Sequence, residues 1–212
     1  NPHLMGMYRA ISTDVEGVIS ALAIHRDNHR ASWYADVRDA FNVGMITGSS
    51  NQAAAFLYLA RTAWNGLWRV NGSGEFNVPM GDQTADGILD EDALRSAGEA
   101  LARSDLRCGD FRETCADAQA GDFAYLDPPY DTEDGFTAFT SSGFGRAEQE
   151  TLAKYAASLR DRGVHVMLSN SATTLVRRLY RGWKIERVHR PGTMSSDPKG
   201  RGKVREVIIT PK

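Results

Sequence analysis

Phe123-Ala124-Tyr125-Leu126-Asp127-Pro128-Pro129-Tyr130 sets a short apolar run directly against an acid, two prolines and an aromatic ring. Four apolar residues bounded by such a break read as a buried strand ending in a stiff turn, because proline fixes φ and has no N–H for a ladder. Downstream, Arg146 to Arg162 has helical spacing, while Val164–Ser169, Lys184–Val188 and Val204–Ile209 read as further strands. This alternation predicts an α/β sheet with crossover helices. Ligands of such sheets sit beyond the carboxyl ends of the strands, which is where residues 127–130 fall.

Upstream the pattern is helical. Leu4, Met7, Tyr8 and Ile11, then Val15, Val18, Ile19 and Leu22, fall on one side of amphipathic helices and are candidate core faces. Ala53 to Leu59 is another apolar helical run, and Asp90 to Arg103 reads as a helix with Asp90 as its N-cap. Between them, Thr62 to Gly81 breaks the periodicity with glycines, asparagines and a proline, and reads as a long functional loop.

The turn after Leu126 has a chemistry of its own. Its prolines leave backbone carbonyls free to accept, Asp127 adds a carboxylate and Tyr130 offers a ring face. An amino group on a flat heterocycle fits that set: two hydrogens need two acceptors, and the ring needs a stacking partner. The bland alternative is a rigid turn and nothing more.

At 212 residues, with 42% hydrophobic and 25% charged residues, the chain suffices for one core plus an appended lobe. It has no stretch near the roughly 18 consecutive apolar residues of a membrane span and no basic-then-apolar leader, so a cytoplasmic protein without membrane partners is expected. Cys108 and Cys115 are too few for a disulfide framework and, with few histidines nearby, do not suggest a metal site. The net charge of -2 hides an asymmetry: Leu175 to Arg205 carries +8 and the remainder -10. Such a basic segment is either a solvated face or a holder of phosphates.

Further stretches carry a resemblance. Arg61-Thr-Ala-Trp-Asn-Gly-Leu-Trp-Arg-Val-Asn71 followed by Gly74-Glu-Phe-Asn-Val-Pro-Met-Gly81, then Asp127-Pro-Pro-Tyr130, Phe136-Thr-Ala-Phe139 with Phe144, Leu168-Ser-Asn170, and Ser195-Ser196 before Gly200-Arg-Gly-Lys-Val-Arg-Glu206 occur in that order. Together they resemble the Dam-type (D12 class) DNA adenine-N6 methyltransferases. The opening Asn1 to Tyr8 is similar to the stretch after that family's second cofactor motif.

The resemblance implies a Rossmann-like, S-adenosylmethionine-dependent sheet with an inserted, mostly helical DNA-recognition lobe. Residues 1–12 and 104–212 would form the catalytic domain and 13–103 the lobe. It implies a flipped adenine at Asp127-Pro128-Pro129-Tyr130, with Asp127 and the Pro128 carbonyl accepting from N6 and Tyr130 stacking on the base. It assigns Asp110 and Phe111, at the end of an expected strand, to the cofactor's adenine, with Asp127 also facing the cofactor. Double-stranded DNA would be read by Trp64, Asn65, Leu67, Arg69, Asn71 and Pro79, with Trp68 in the core, and gripped by Ser195, Lys199, Arg201 and Lys203. The leading target is an adenine within GATC. The family's Ala-Gly-Gly-Lys-like segment and Pro-Phe-x-Gly-x-Gly loop do not occur in these residues. Weak S-adenosylmethionine binding by this stretch, and a complementary N-terminal segment or chain, are therefore expected. Two alternatives stand beside this reading: a Dam-like DNA-binding remnant, and an amino methyltransferase acting on RNA or protein.

Overall fold

The computed structural model describes residues 1–132, 144–191 and 203–212, leaving aside the side chains of 189–191 and 203–205. The chain divides into two compact units, Asn1–Gly109 and Asp110–Lys212.

The first unit is helical: α1 (Pro2–Thr13), α2 (Val15–Asp27), α3 (Ala31–Asn42), α4 (Ser49–Thr62) and α5 (Glu91–Ala102). α1 and α2 pack on α4, whose Ala53, Ala54 and Ala55 are almost wholly buried. Small side chains at a helix crossing let the axes approach closely. Met7, Ile11, Val18, Ile19 and Leu22 are buried in the common core, as their spacing predicts. Asp90 caps α5, accepting from Ala93 N at 3.0 Å. Asp14 caps α2 through Gly17 N and also accepts from Ser50 Oγ at 2.6 Å, tying α2 to α4. Residues 1–12, expected from the sequence to belong with the sheet, instead form most of α1 and pack on α4 and α5, because Met7, Ala10 and Ile11 belong to the helical core.

One histidine makes this core sensitive to acid. His25 stacks on Tyr58 with 4.9 Å between ring centroids, and its Nδ1 accepts from Trp33 Nε1 at 3.1 Å. Burial lowers its pKa from 6.5 to about 4, and protonating Nδ1 would also break the tryptophan bond. Above pH 6.5 the ring is neutral in the folded and unfolded chain and stability is unaffected. As pH falls below that value the unfolded chain takes up the proton first, so stability is lost progressively towards about pH 4. After discounting for partial exposure, about 2 kcal/mol should disappear across that window. Urea melts of wild type and His25→Gln between pH 7 and pH 4 check this: the variant should lose less stability on acidification, and equal losses would exclude His25 as the cause.

The second unit contains α6 (Phe111–Thr114), β1 (Phe123–Leu126), α7 (Arg146–Asp161), β2 (His165–Ser171), α8 (Thr174–Leu179), β3 (Lys184–Pro191) and β4 (Lys203–Thr210). The sheet order is β1-β2-β4-β3, with β1 and β2 parallel and the other pairs antiparallel. It is a mixed α/β arrangement. Leu126, Leu168, Val207 and Ile209 pack with Leu152, Ala156 and Leu159 of α7 to form its core. β1 lies at the edge of the sheet, and Phe123 and Tyr125, alternate residues on one face, are 63% and 52% exposed.

One expected strand is absent: residues 104–110 adopt neither helix nor strand. Leu106 is the sole large apolar residue there, too little for a buried strand, and its carbonyl accepts from Arg9 Nη2 at 3.4 Å instead of from a ladder. Among the described residues no helix is long and apolar enough to cross a membrane.

Candidate active site

β1 delivers Asp127 at the carboxyl end of the sheet. The parallel register pairs Leu126 with Leu168, so one step on, Asp127 comes beside Ser169. Ser169, 2% exposed, donates from Oγ to Asp127 Oδ1 at 2.5 Å. Tyr125, two residues before Asp127 on the same face, donates its hydroxyl to Ser169 Oγ at 3.0 Å.

The turn that follows is braced from beneath. Gln149 of α7 and Asn170 of β2 are both wholly buried and bond to each other, Asn170 Nδ2 donating to Gln149 Oε1 at 3.0 Å. Gln149 Nε2 donates to the Pro129 carbonyl at 2.9 Å, and Asn170 Oδ1 accepts from Asp131 N at 2.9 Å. The backbone is therefore held immediately before and after Tyr130. Thr173 adds a short hydrogen bond to the Asp131 carboxylate. With the Pro129 carbonyl engaged by Gln149, the same turn carries a second prolyl carbonyl, that of Pro128, beside the Asp127 carboxylate.

Tyr130 is half-buried, and burial pushes its phenol pKa up, with the Asp127 carboxylate adding to the effect and a bond to Ser169 opposing it. Its hydroxyl thus faces the Ser169–Asp127 pair. The residues singled out by sequence, Asp127, Pro128, Pro129 and Tyr130, all fall on this one turn. The sequence gives no role to Tyr125, Gln149, Ser169 or Asn170. The available signals are the polar Ser169-Asn170 pair after the apolar run Val166–Leu168, and the place of Leu168-Ser-Asn170 among the segments that carry the resemblance.

Asp110 caps α6 rather than ending a strand: its Oδ1 accepts from Arg112 N at 2.9 Å, and Arg112 Nε and Nη2 bond its two oxygens at 2.8 and 3.1 Å. These bonds hold its carboxyl below the usual range. Phe111 meets Tyr155 edge-on at 5.5 Å and lies against the core of this unit.

The loop after α4 folds back on itself. Trp64 N donates to the Pro79 carbonyl at 2.9 Å, Asn77 N to the Arg69 carbonyl at 3.2 Å and Asn71 N to the Glu75 carbonyl at 2.9 Å. Trp64, 41% exposed, leads into Asn65, whose φ of 54° is left-handed, a conformation asparagine tolerates better than most residues. Gly81 has no room for a side chain, since a Cβ would come within 3.0 Å of the Ala63 and Trp64 backbone. Trp68 is sandwiched with Phe56 and Phe76 at 4.2 and 4.4 Å, as its core assignment requires. Arg69 is exposed, its Nε donating to Asn77 Oδ1 at 2.9 Å. Leu67 is half-buried and Pro79 exposed. Asn71 is committed to the turn, its Oδ1 accepting from Ser73 N and Glu75 N and its Nδ2 donating to Glu75. Ser195, Lys199 and Arg201 lie outside the described residues, as does the side chain of Lys203.

An acidic acceptor, a prolyl carbonyl and an aromatic ring thus fall together on one braced turn. Comparison with known proteins gives the family. Residues 1–196 match the model of the D12 class N6 adenine-specific DNA methyltransferases, and the chain belongs to that family. It is similar to the type II methyltransferase M1.LlaDCHI of Lactococcus lactis subsp. cremoris, with 34% identity covering 99% of this chain and 76% of that protein. It is 35% identical to a DNA adenine methylase of Vibrio cholerae serotype O1, over 98% of this chain and 76% of the relative. The type II methyltransferase M.MjaIII of Methanocaldococcus jannaschii is 36% identical over 89% of this chain and 69% of its own length. The protein is therefore a DNA methyltransferase.

Proposed function

We propose that the protein transfers the methyl group of S-adenosylmethionine to N6 of an adenine flipped out of duplex DNA, with GATC as the target sequence. The observation that carries this reading is the placement of two acceptors, the Asp127 carboxylate and the Pro128 carbonyl, beside the Tyr130 ring on one braced turn. An exocyclic amine is a weak nucleophile because its lone pair is delocalised into the ring. Two acceptors on its two hydrogens draw the nitrogen towards tetrahedral geometry and localise that pair. Tyr130 stacks on the extruded base, recovering part of the few kcal/mol, roughly, that unstacking costs. N6 would bond to the methyl carbon as the sulfur–carbon bond breaks, leaving a neutral thioether, and the surplus N6 proton would pass to solvent, with the exposed Asp127 carboxylate hydrogen-bonded to it until it leaves. Catalysis by these residues is positioning and electrostatic.

S-adenosylmethionine supplies a methyl carbon on a positively charged sulfur. Asp110, Phe111 and Asp127 are the residues proposed to hold it. Asp110 fits, since its partner Arg112 is 57% exposed and one carboxylate oxygen accepts a single bond. Phe111 offers a ring beside it. The sheet is read as part of a Rossmann-like methyltransferase domain, and the mostly helical residues 13–103 as its inserted recognition lobe.

In that lobe Trp64 is assigned as a wedge into the base stack, Leu67 as a contact to a thymine methyl and Arg69 as the reader of a guanine edge, with Asn65, Asn71 and Pro79 completing the loop. Asn77 holds Arg69 Nε, which leaves both terminal nitrogens for a bidentate contact. Ser195, Lys199, Arg201 and Lys203 are proposed phosphate contacts. Arg69→Ala should cost about 1–3 kcal/mol and relax preference at one base pair. Equal loss of affinity for cognate and scrambled duplexes would make Arg69 a phosphate contact instead. The function is tested by offering the intact gene product methyl-labelled S-adenosylmethionine with a GATC duplex, a permuted duplex, RNA and protein. Label is expected on adenine N6 of the GATC duplex, and preferential labelling of RNA or protein would overturn the reading.

A further inference from the structure

Asp127 does not stand alone at the end of β1. Its Oδ1 accepts from Ser169 at 2.5 Å and Ser169 accepts from Tyr125 at 3.0 Å. The direction of this chain is fixed by chemistry. Ser169 donates to Asp127, which commits its single hydroxyl hydrogen there. The Tyr125 hydroxyl must then be the donor to Ser169. Tyr125 and Ser169 lie on adjacent parallel strands and Asp127 directly follows the first, so the alternation puts Tyr125 and Asp127 on one face beside Ser169. Ser169 is 2% exposed and cannot turn to water for another partner. The Tyr130 hydroxyl faces the same pair.

We propose that Ser169 and Tyr125 are positioning residues for methyl transfer: a one-way hydrogen-bond chain that occupies one oxygen of Asp127 and presents the other to the N6 amine. The proposal rests on the assignment of Asp127 as the amine acceptor. Neither residue touches the substrate. Ser169 sets the rotation of the carboxylate, and Tyr125 sets the rotation of Ser169. A carboxylate free to rotate would meet the amine with either oxygen at varying angles, and methyl transfer depends on alignment.

The test uses the intact gene product with three readouts: the single-turnover methylation rate, the fluorescence of 2-aminopurine at the target position as a report of base capture, and thermal stability. Removing a hydrogen bond to a charged group in Ser169→Ala should slow single-turnover methylation about ten- to a hundredfold. Base capture should remain within about twofold of wild type, because the stacking ring is untouched. Ser169→Thr keeps the hydroxyl and should recover most of the rate. Tyr125→Phe should slow the reaction about two- to tenfold, since that bond joins neutral groups, and should have no further effect when added to Ser169→Ala.

A merely structural role would move stability without this pattern of rescue and non-additivity. A wild-type rate for Ser169→Ala alongside an inactive Asp127→Ala would overturn the proposal and leave the assignment of Asp127 intact. An active Asp127→Ala would instead overturn the site assignment beneath it. Full additivity of Tyr125→Phe with Ser169→Ala would show that no chain connects them. If Ser169→Ala does not fold, Tyr125→Phe decides alone: that ring is half-exposed, and a wild-type rate in that variant would overturn the proposal.

Discussion

Asp127→Ala is expected to slow methyl transfer by about a hundred- to a thousandfold, the scale on which removing a single preorganised electrostatic partner acts. Duplex binding should change little, because the lost acceptor faces the reacting amine and not the phosphates. The folded chain should persist, since Asp127 is exposed and directly follows β1, which is already held by its backbone ladder to β2. Labelled methyl incorporation, read beside a gel-shift titration with the same duplex, separates the two effects. Near-normal turnover would remove Asp127 from the chemistry, and parallel loss of binding would make it a DNA contact.

Asn170→Ala should destabilise the sheet unit severely, and far more than Asp127→Ala. Its wholly buried side chain donates to Gln149 and accepts from Asp131 N at 2.9 Å and Ser171 N at 2.8 Å. Truncation leaves Gln149 Oε1 and Asp131 N without their partner and opens a polar cavity, a combination worth about 3–4 kcal/mol. Equilibrium urea unfolding measures it directly. The same variant should lose base capture, since the turn carrying Tyr130 is no longer held on its far side. Stability within about 1 kcal/mol of wild type would mean that the brace contributes no more than an ordinary surface hydrogen bond.

The strands are legible because each is an apolar run bracketed by breakers: Phe123–Leu126 is found as read, and the bounds of the other three depart from the reading by no more than three residues at either end. The helix from Arg146 ends at Asp161, one residue short of the expected Arg162. α3 is hidden in the sequence because Arg30 at its N-cap makes no side-chain capping bond, so nothing announces its start. The strand expected before Asp110 fails for the opposite reason: a local capping bond forms in place of a ladder.

The candidate site divides the same way. Asp127, Pro128, Pro129 and Tyr130 are contiguous, and their types alone suggest an amine. The brace is not contiguous. Gln149 on a helix and Asn170 on a strand look like ordinary polar positions in the sequence, and only the packing of α7 on β2 makes them partners.

The amide of Gln149 also has a bearing on what happens after the reaction. With the Pro129 carbonyl held by Gln149, the proposed acceptors are the Asp127 carboxylate and the Pro128 carbonyl, and an unmodified adenine would bring two hydrogens to them. A methylated amine brings one. Either acceptor is then left facing a methyl group, a desolvated oxygen without a donor, which penalises retention of the product and disfavours a second methylation of the same nitrogen. On the proposed assignment, this arithmetic of donors and acceptors makes a glutamine that never meets the substrate favour a single mark per base.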